Sequence, residues 1–106
     1  MTARIVFCTC PDAPTAARLA KTLVEERLAA CVNVVGGVAS TYRWKGEVHV
    51  DDEVLLVIKT MADRFEAMQA RLIALHPYEV PEVLAIEPAG GAAPYLAWLE
   101  RETRPA

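Results

Sequence analysis

Two helical patterns alternate with extended runs in the order β-α-β-β-α-β, a proline stops the second helix, and a short apolar helical segment follows the last strand. These observations predict an α+β fold of the ferredoxin-like βαββαβ sandwich type. Its expected form is one antiparallel four-stranded sheet with both main helices on one face, a long β2-β3 hairpin and a short C-terminal helix. The 106 residues suit a single domain over 1–106, with no internal repeat and no low-complexity segment.

The first extended run, Arg4-Ile5-Val6-Phe7-Cys8-Thr9-Cys10, is rich in β-branched and aromatic residues and stops at Pro11. It reads as a central strand buried on both faces. Asp12 is placed to cap the helix that follows, with Pro14 in its first turn. Ala16, Ala20, Leu23, Val24 and Leu28 recur at helical spacing, while Arg18, Lys21, Thr22, Glu25 and Glu26 fall elsewhere on the wheel, so the helix packs one side on a sheet. From Ala30 to Trp44 the chain is extended, Lys45-Gly46 is a turn signal, and the return leg runs from Glu47 to Lys59. Each leg has about fourteen residues, against a usual strand of roughly 5–6. Gly36-Gly37 is expected to mark a bulge or bend on the outward leg. Asp63 is placed to cap a second helix with Phe65, Met68, Leu72 and Leu75 on one face, which Pro77 ends. Val83 to Ile86 form the last strand. Pro94 opens a final helix carrying Tyr95, Leu96, Trp98 and Leu99, and the polar residues Arg101 to Ala106 are expected to fray.

The first and last strands span about seven residues, so half of the hairpin has no partner within one chain. Its outer half carries Val38, Tyr42, Trp44, Val48 and Val50, read as an apolar face that a lone ribbon leaves in water. The apolar content of 54% lies above the usual value of roughly 45–50% and points the same way. A cyclic homo-oligomer closed by hairpin strand pairing is expected, in preference to a mobile recognition arm. No run is long enough to span a membrane. The start, Met1-Thr2-Ala3-Arg4-Ile5, enters a strand pattern without a secretory apolar region, so a cytoplasmic location is expected. The three cysteines are then reduced thiols and not a disulfide framework. A net charge of -3 without any basic cluster leaves nucleic acid out of the expected partners.

The densest group of functional side chains is the connector His76-Pro77-Tyr78-Glu79-Val80-Pro81-Glu82-Val83. Its two prolines fix φ and push His76 and Val80 toward extended conformations. One reading is a stiff turn in which His76 caps the last helix carbonyls and Tyr78 bridges to backbone; the other is a binding site on a rigid backbone. Cys8 and Cys10, two apart on a strand, share a face and suit copper(I) or zinc, or else they pack as small hydrophobes. Cys31 beside Asn33 has the same two readings. His49 beside Asp51 and Asp52 is either a weak cation site or a solvated hairpin tip. Lys59 is an anion ligand if the connector's carboxylates lie near it, or a salt-bridge partner of Glu79 or Glu82. Trp44 and Trp98 read as interface or core aromatics. No activated nucleophile or metal-ligand triad is legible, so no enzymatic activity is expected.

Several segments together resemble the CutA divalent-cation-tolerance family. They are Ala29-Ala30-Cys31-Val32-Asn33, Tyr42-Arg43-Trp44-Lys45-Gly46, Glu53 through Thr60, His76 through Val83, and Pro94-Tyr95-Leu96-Ala97-Trp98. The resemblance covers nearly the whole chain. It implies a ferredoxin-like homotrimer built through the long hairpins, similar overall to PII-type signalling trimers, with a role in tolerance of copper and other divalent cations. It also implies a candidate inter-subunit pocket on Cys31, Trp44, Lys59, His76, Tyr78, Glu79 and Glu82. Copper(I) would want the thiols of Cys8 and Cys10, whereas copper(II) would prefer His76 or His49 with carboxylates. Two alternatives of other classes stand beside metal tolerance: a PII-like sensor taking a small anionic ligand through Lys59, and a scaffold that binds proteins by its hairpins.

Overall fold

The structure is a computed structural model describing residues 2–105; Met1 and Ala106 lie outside the described residues. Strand β1 (Ala3–Cys10) has the alternation of a sheet covered on one face: Val6, Cys8 and Cys10 are fully buried, and Ile5, Phe7 and Thr9 between them are half-buried. The expectation of burial on both faces is therefore corrected within one chain. Antiparallel to β1 run β3 (Glu47–Met61) on one side and β4 (Leu84–Ile86) on the other; β2 (Cys31–Trp44) pairs outside β3, giving the order β2-β3-β1-β4. Helices α1 (Ala13–Glu25) and α2 (Phe65–Leu75) cover the buried face, where Leu19, Leu23, Met68 and Leu72 meet Val6, Leu56 and Ile58. Each of these large side chains contributes about 1.5–3 kcal/mol by leaving water. The third helix, α3 (Ala93–Glu102), closes a second small core in which Leu99 packs with Ala3, Ala30 and Met61. The architecture is the ferredoxin-like α+β fold expected from the sequence.

The helix ends depart from expectation in three places. Asp12 does cap α1, accepting the Thr15 N–H at 2.8 Å, and that bond holds its carboxyl below the usual range. The helix nevertheless stops at Glu25, short of Leu28. Arg27 takes φ 58°, its N–H reaches the Val24 carbonyl at 3.1 Å, and the Leu28 N–H reaches Leu23 at 2.9 Å. This is a Schellman closure with arginine where glycine is usual, which the residue pattern does not announce. Leu28 still reaches the core from beyond the helix, whereas Val24 faces solvent. Asp63 does not cap α2. A 3-10 turn, Ala62–Arg64, leads into that helix without a side-chain cap, and Asp63 instead takes both nitrogens of Arg104 at 2.6 and 2.8 Å. Arg104 and the buried Thr103, whose hydroxyl donates to the Leu99 carbonyl at 2.8 Å, tie down the tail that was expected to fray as far as residue 104; Ala106, part of that expectation, lies outside the described residues. Last, β4 has three residues, shorter than the sequence pattern suggests.

The hairpin is paired from Cys31 opposite Lys59 to Trp44 opposite Glu47, with its register shift between Val35 and Val38. The Gly36-Gly37 pair thus does form a bulge, and Gly37 at φ 74° uses a conformation that other residues rarely adopt. Lys45 and Gly46, at φ 50° and 83°, close the tip as a two-residue turn of the I′ kind. The ladder of β1 along β3 stops where Cys10 meets Val54, so everything outward of Glu53 projects past the helix-covered sheet. Tyr42 lies opposite His49 and Trp44 opposite Glu47, while Val48 and Val50 lie opposite Arg43 and Thr41. Period-two alternation puts the aromatics on one face and the two valines on the other. The single apolar face read from the sequence is therefore split in two.

Candidate functional site

Pro77 stops α2 by removing a backbone donor, and the residue before it is forced out of the helical region: His76 has ψ 138°. Its backbone N–H, not its ring, closes the helix by donating to the Leu72 carbonyl at 3.0 Å. That frees the imidazole to turn inward, where it is buried. Nε2 lies 2.8 Å from the Thr9 carbonyl, and Nδ1 accepts the Tyr78 N–H at 3.1 Å. A carbonyl only accepts and an amide N–H only donates, so the Nε2–H tautomer satisfies both bonds. The Cys10 sulfur sits 3.9 Å from Nε2, and the donor atoms of Cys8, Cys10 and His76 all lie within 4.8 Å of one another. The neighbouring Cys10 thiol, and then burial, push the Cys8 thiol up, while the Cys8 thiol draws Cys10 down. The Cys8 Sγ–H is directed at the Thr9 carbonyl at 3.7 Å.

Two residues further on, the connector faces a different environment. The Tyr78 hydroxyl donates to Glu53 Oε2 at 2.6 Å; burial, then this carboxylate, push the phenol well above its usual range. Glu53 is only 9% exposed. Tyr78, Glu79 and Glu82 on one side and Tyr42, Trp44, Asp51, Asp52 and Glu53 on the other line an open cleft of about 1020 Å³. The Tyr42 hydroxyl is bonded to Asp51 across the ribbon, which raises its pKa, and its ring stacks on His49 at 5.5 Å.

The structure thus brings together Cys8, Cys10 and His76 in one place, and Trp44, Tyr78, Glu79 and Glu82 in another. It does not bring Lys59 to either. Lys59 pairs across the sheet with Ile5 and Cys31, and its ammonium is held by Asn33 Oδ1. The expected ion pair with Glu79 or Glu82 is not formed within the chain; Glu79 approaches Lys45 instead, at 3.9 Å. Cys31 is half-buried at the start of β2, beside Lys59. His49, stacked on Tyr42, takes no part in the cluster of Cys8, Cys10 and His76. Sequence reading missed Glu53, because Asp51-Asp52-Glu53 looks like a solvated acidic run. The available signal was register: once Cys10 is opposite Val54, Glu53 must stand where the connector crosses the end of β1.

The family model described as CutA1 divalent ion tolerance protein matches residues 4–102. The chain belongs to the CutA1 family. It is 50% identical over 99 residues to the divalent-cation tolerance protein CutA of Thermus thermophilus, covering 93% of this chain and 96% of that protein. It is 44% identical over 100 residues to the chloroplastic protein CutA of Arabidopsis thaliana, spanning 94% of this chain but 55% of the relative's length. The crystal structure of CutA from Xylella fastidiosa superimposes with a TM-score of 0.95 at 43% identity, covering 98% of this chain and all of that one.

Whether the CutA1 chain's own residues fit a metal ion is decided by the donor set. Two sulfurs and an imidazole make a soft to borderline site, suited to copper(I) or zinc. Donors around one such ion sit roughly 3.5–4 Å apart, given metal–ligand bonds of about 2.0–2.3 Å. The observed limit of 4.8 Å needs only a small contraction. Binding through Nε2 also requires the ring proton to move to Nδ1, which gives up both the bond to the Thr9 carbonyl and the one accepted from the Tyr78 N–H. The residues fit, with His76 as the ligand that has to change both of its partners.

Proposed function

We propose that this CutA1-family chain is a metal-binding protein and not an enzyme, holding copper or another divalent cation at Cys8, Cys10 and His76 and contributing to metal tolerance. The observation that carries the reading is the convergence of two thiols on β1 with the imidazole of the connector, two segments of the chain that the fold brings together. A cytoplasmic location suits the reading, since a reducing compartment keeps the pair as thiols. So does a homotrimer: Val48 and Val50 are 60% and 68% exposed, and Leu84 and Ile86 are open as well, which leaves apolar surface for other copies to cover. An anion taken through Lys59 has no support within one chain, because that ammonium lies on Asn33.

The test is metal titration of the reduced protein against a competing chelator, with copper(I), copper(II) and zinc. Wild type should take one ion per chain, and Cys10→Ser and His76→Gln should each weaken binding at least tenfold. Stoichiometric binding untouched by Cys10→Ser would sink the site. Light scattering should return a trimer mass at low micromolar concentration, and a stable monomer would end that part of the proposal.

A further inference from the structure

The cleft between the connector and the outer hairpin is lined by side chains other than Cys8, Cys10 and His76. Its walls carry five carboxylates, Asp51, Asp52, Glu53, Glu79 and Glu82, and no lysine or arginine. A run of surface acids would mean nothing by itself, but Glu53 is not a surface acid. It is nine-tenths buried, and its one hydrogen bond comes from the uncharged Tyr78 hydroxyl. Among the described residues no cationic side chain lies within 4 Å of it, and Oε1 has no hydrogen-bond partner. Among the described residues no unpartnered side-chain oxygen is sealed from solvent, so this one opens into the cleft it lines. A buried carboxylate without a counter-charge calls for a cation. The aromatic wall is suited to the same sign, because a ring face attracts an ammonium. The hairpin tip shows this already: the Lys45 ammonium stands 5.8 Å over the Trp44 ring and 3.9 Å from Glu79.

We propose that this cleft binds a small organic polycation, a flexible diamine or triamine, with one ammonium at Glu53 and another against Trp44 and Glu79. A bare metal ion fits poorly. Among the described residues the only group of three converging donors is Cys8, Cys10 and His76, so the carboxylates form no cage. They are spread along a cleft of about 1020 Å³, which suits an extended ligand with separated charges. Lys45 and Glu79 are both about three-quarters exposed, so their pairing is weak and easily displaced.

The experiment is calorimetric titration of spermidine and 1,4-diaminobutane into the full-length protein. Saturable binding is expected, at least tenfold weaker in Glu53→Gln and in Trp44→Leu, and unchanged in a Glu25→Gln/Glu66→Gln control that removes two exposed acids elsewhere. Equal weakening in the control would show attraction to net charge alone and overturn the proposal. So would absence of binding in wild type, as when a cation from a second copy already fills the cleft. Should Glu53→Gln fail to fold, Trp44→Leu against the control decides by the same criterion. Cys10→Ser should leave amine binding intact, so failure here is distinct from failure of the metal site.

Discussion

The two sides of the connector face opposite environments. On the His76 side everything is sealed: Cys8 and Cys10 have no exposed surface, and every ring nitrogen is satisfied. On the Tyr78 side, two residues away, acids and aromatics line open solvent. Prolines on a short segment allow this, because a backbone with fixed φ can aim consecutive side chains to opposite sides without losing order. A sulfur-and-imidazole cluster and a charged cleft thus share one stiff support while using separate side chains. The contrast has measurable consequences on each side.

The largest concerns access. If the thiols label only when the sheet opens, Cys8 and Cys10 should react on the order of a thousandfold more slowly in the native protein than in denaturant. The neighbouring Cys10 thiol and burial push Cys8 toward its protonated form, which slows it further. Mass spectrometry of timed alkylation reads each cysteine separately. Rapid native labelling of Cys8 would mean that the sealed side is not sealed.

Next in size is His76→Ala. It leaves the Thr9 carbonyl and the Tyr78 N–H without partners and opens a cavity next to Cys10. A loss of about 3 kcal/mol is expected in urea unfolding. Tyr78→Phe removes one hydroxyl from the buried Glu53 and should cost about 1–2 kcal/mol. If the two costs came out reversed, the structural weight would lie in the cleft and not in the buried cluster.

The sequence made one side of this contrast far more legible than the other. Cys8 and Cys10 announce a shared face by spacing alone, and Pro77 marks the end of α2 to the residue. The helix-covered core follows from period: Leu23, Met68 and Leu72 fall where the pattern puts them. What periodicity does not carry is long-range pairing. Asp63 as a partner of Arg104, Lys59 as a partner of Asn33, and Glu53 beneath Tyr78 join residues 41, 26 and 25 positions apart, and only the folded sheet chooses among such options. The end of α1 was hidden for another reason. An arginine in the left-handed region leaves none of the glycine signature by which a Schellman closure is usually read.

The smallest effect is the most discriminating. Glu79 is exposed, and its one ion-pair partner, Lys45, is 3.9 Å away and equally exposed. Such pairs contribute roughly 0–1 kcal/mol, since solvent screens them and both long side chains lose freedom on pairing. Glu79→Gln should therefore change unfolding stability by less than about 0.5 kcal/mol. Its effect on spermidine should be a measurable weakening, because the variant removes one of the two carboxylates assigned to an ammonium. Metal uptake at the thiols should be unmoved. A melting temperature lowered by several degrees would show that Glu79 braces the connector itself. The two sides would then be coupled through the backbone, and the independence of the buried cluster from the cleft would be lost.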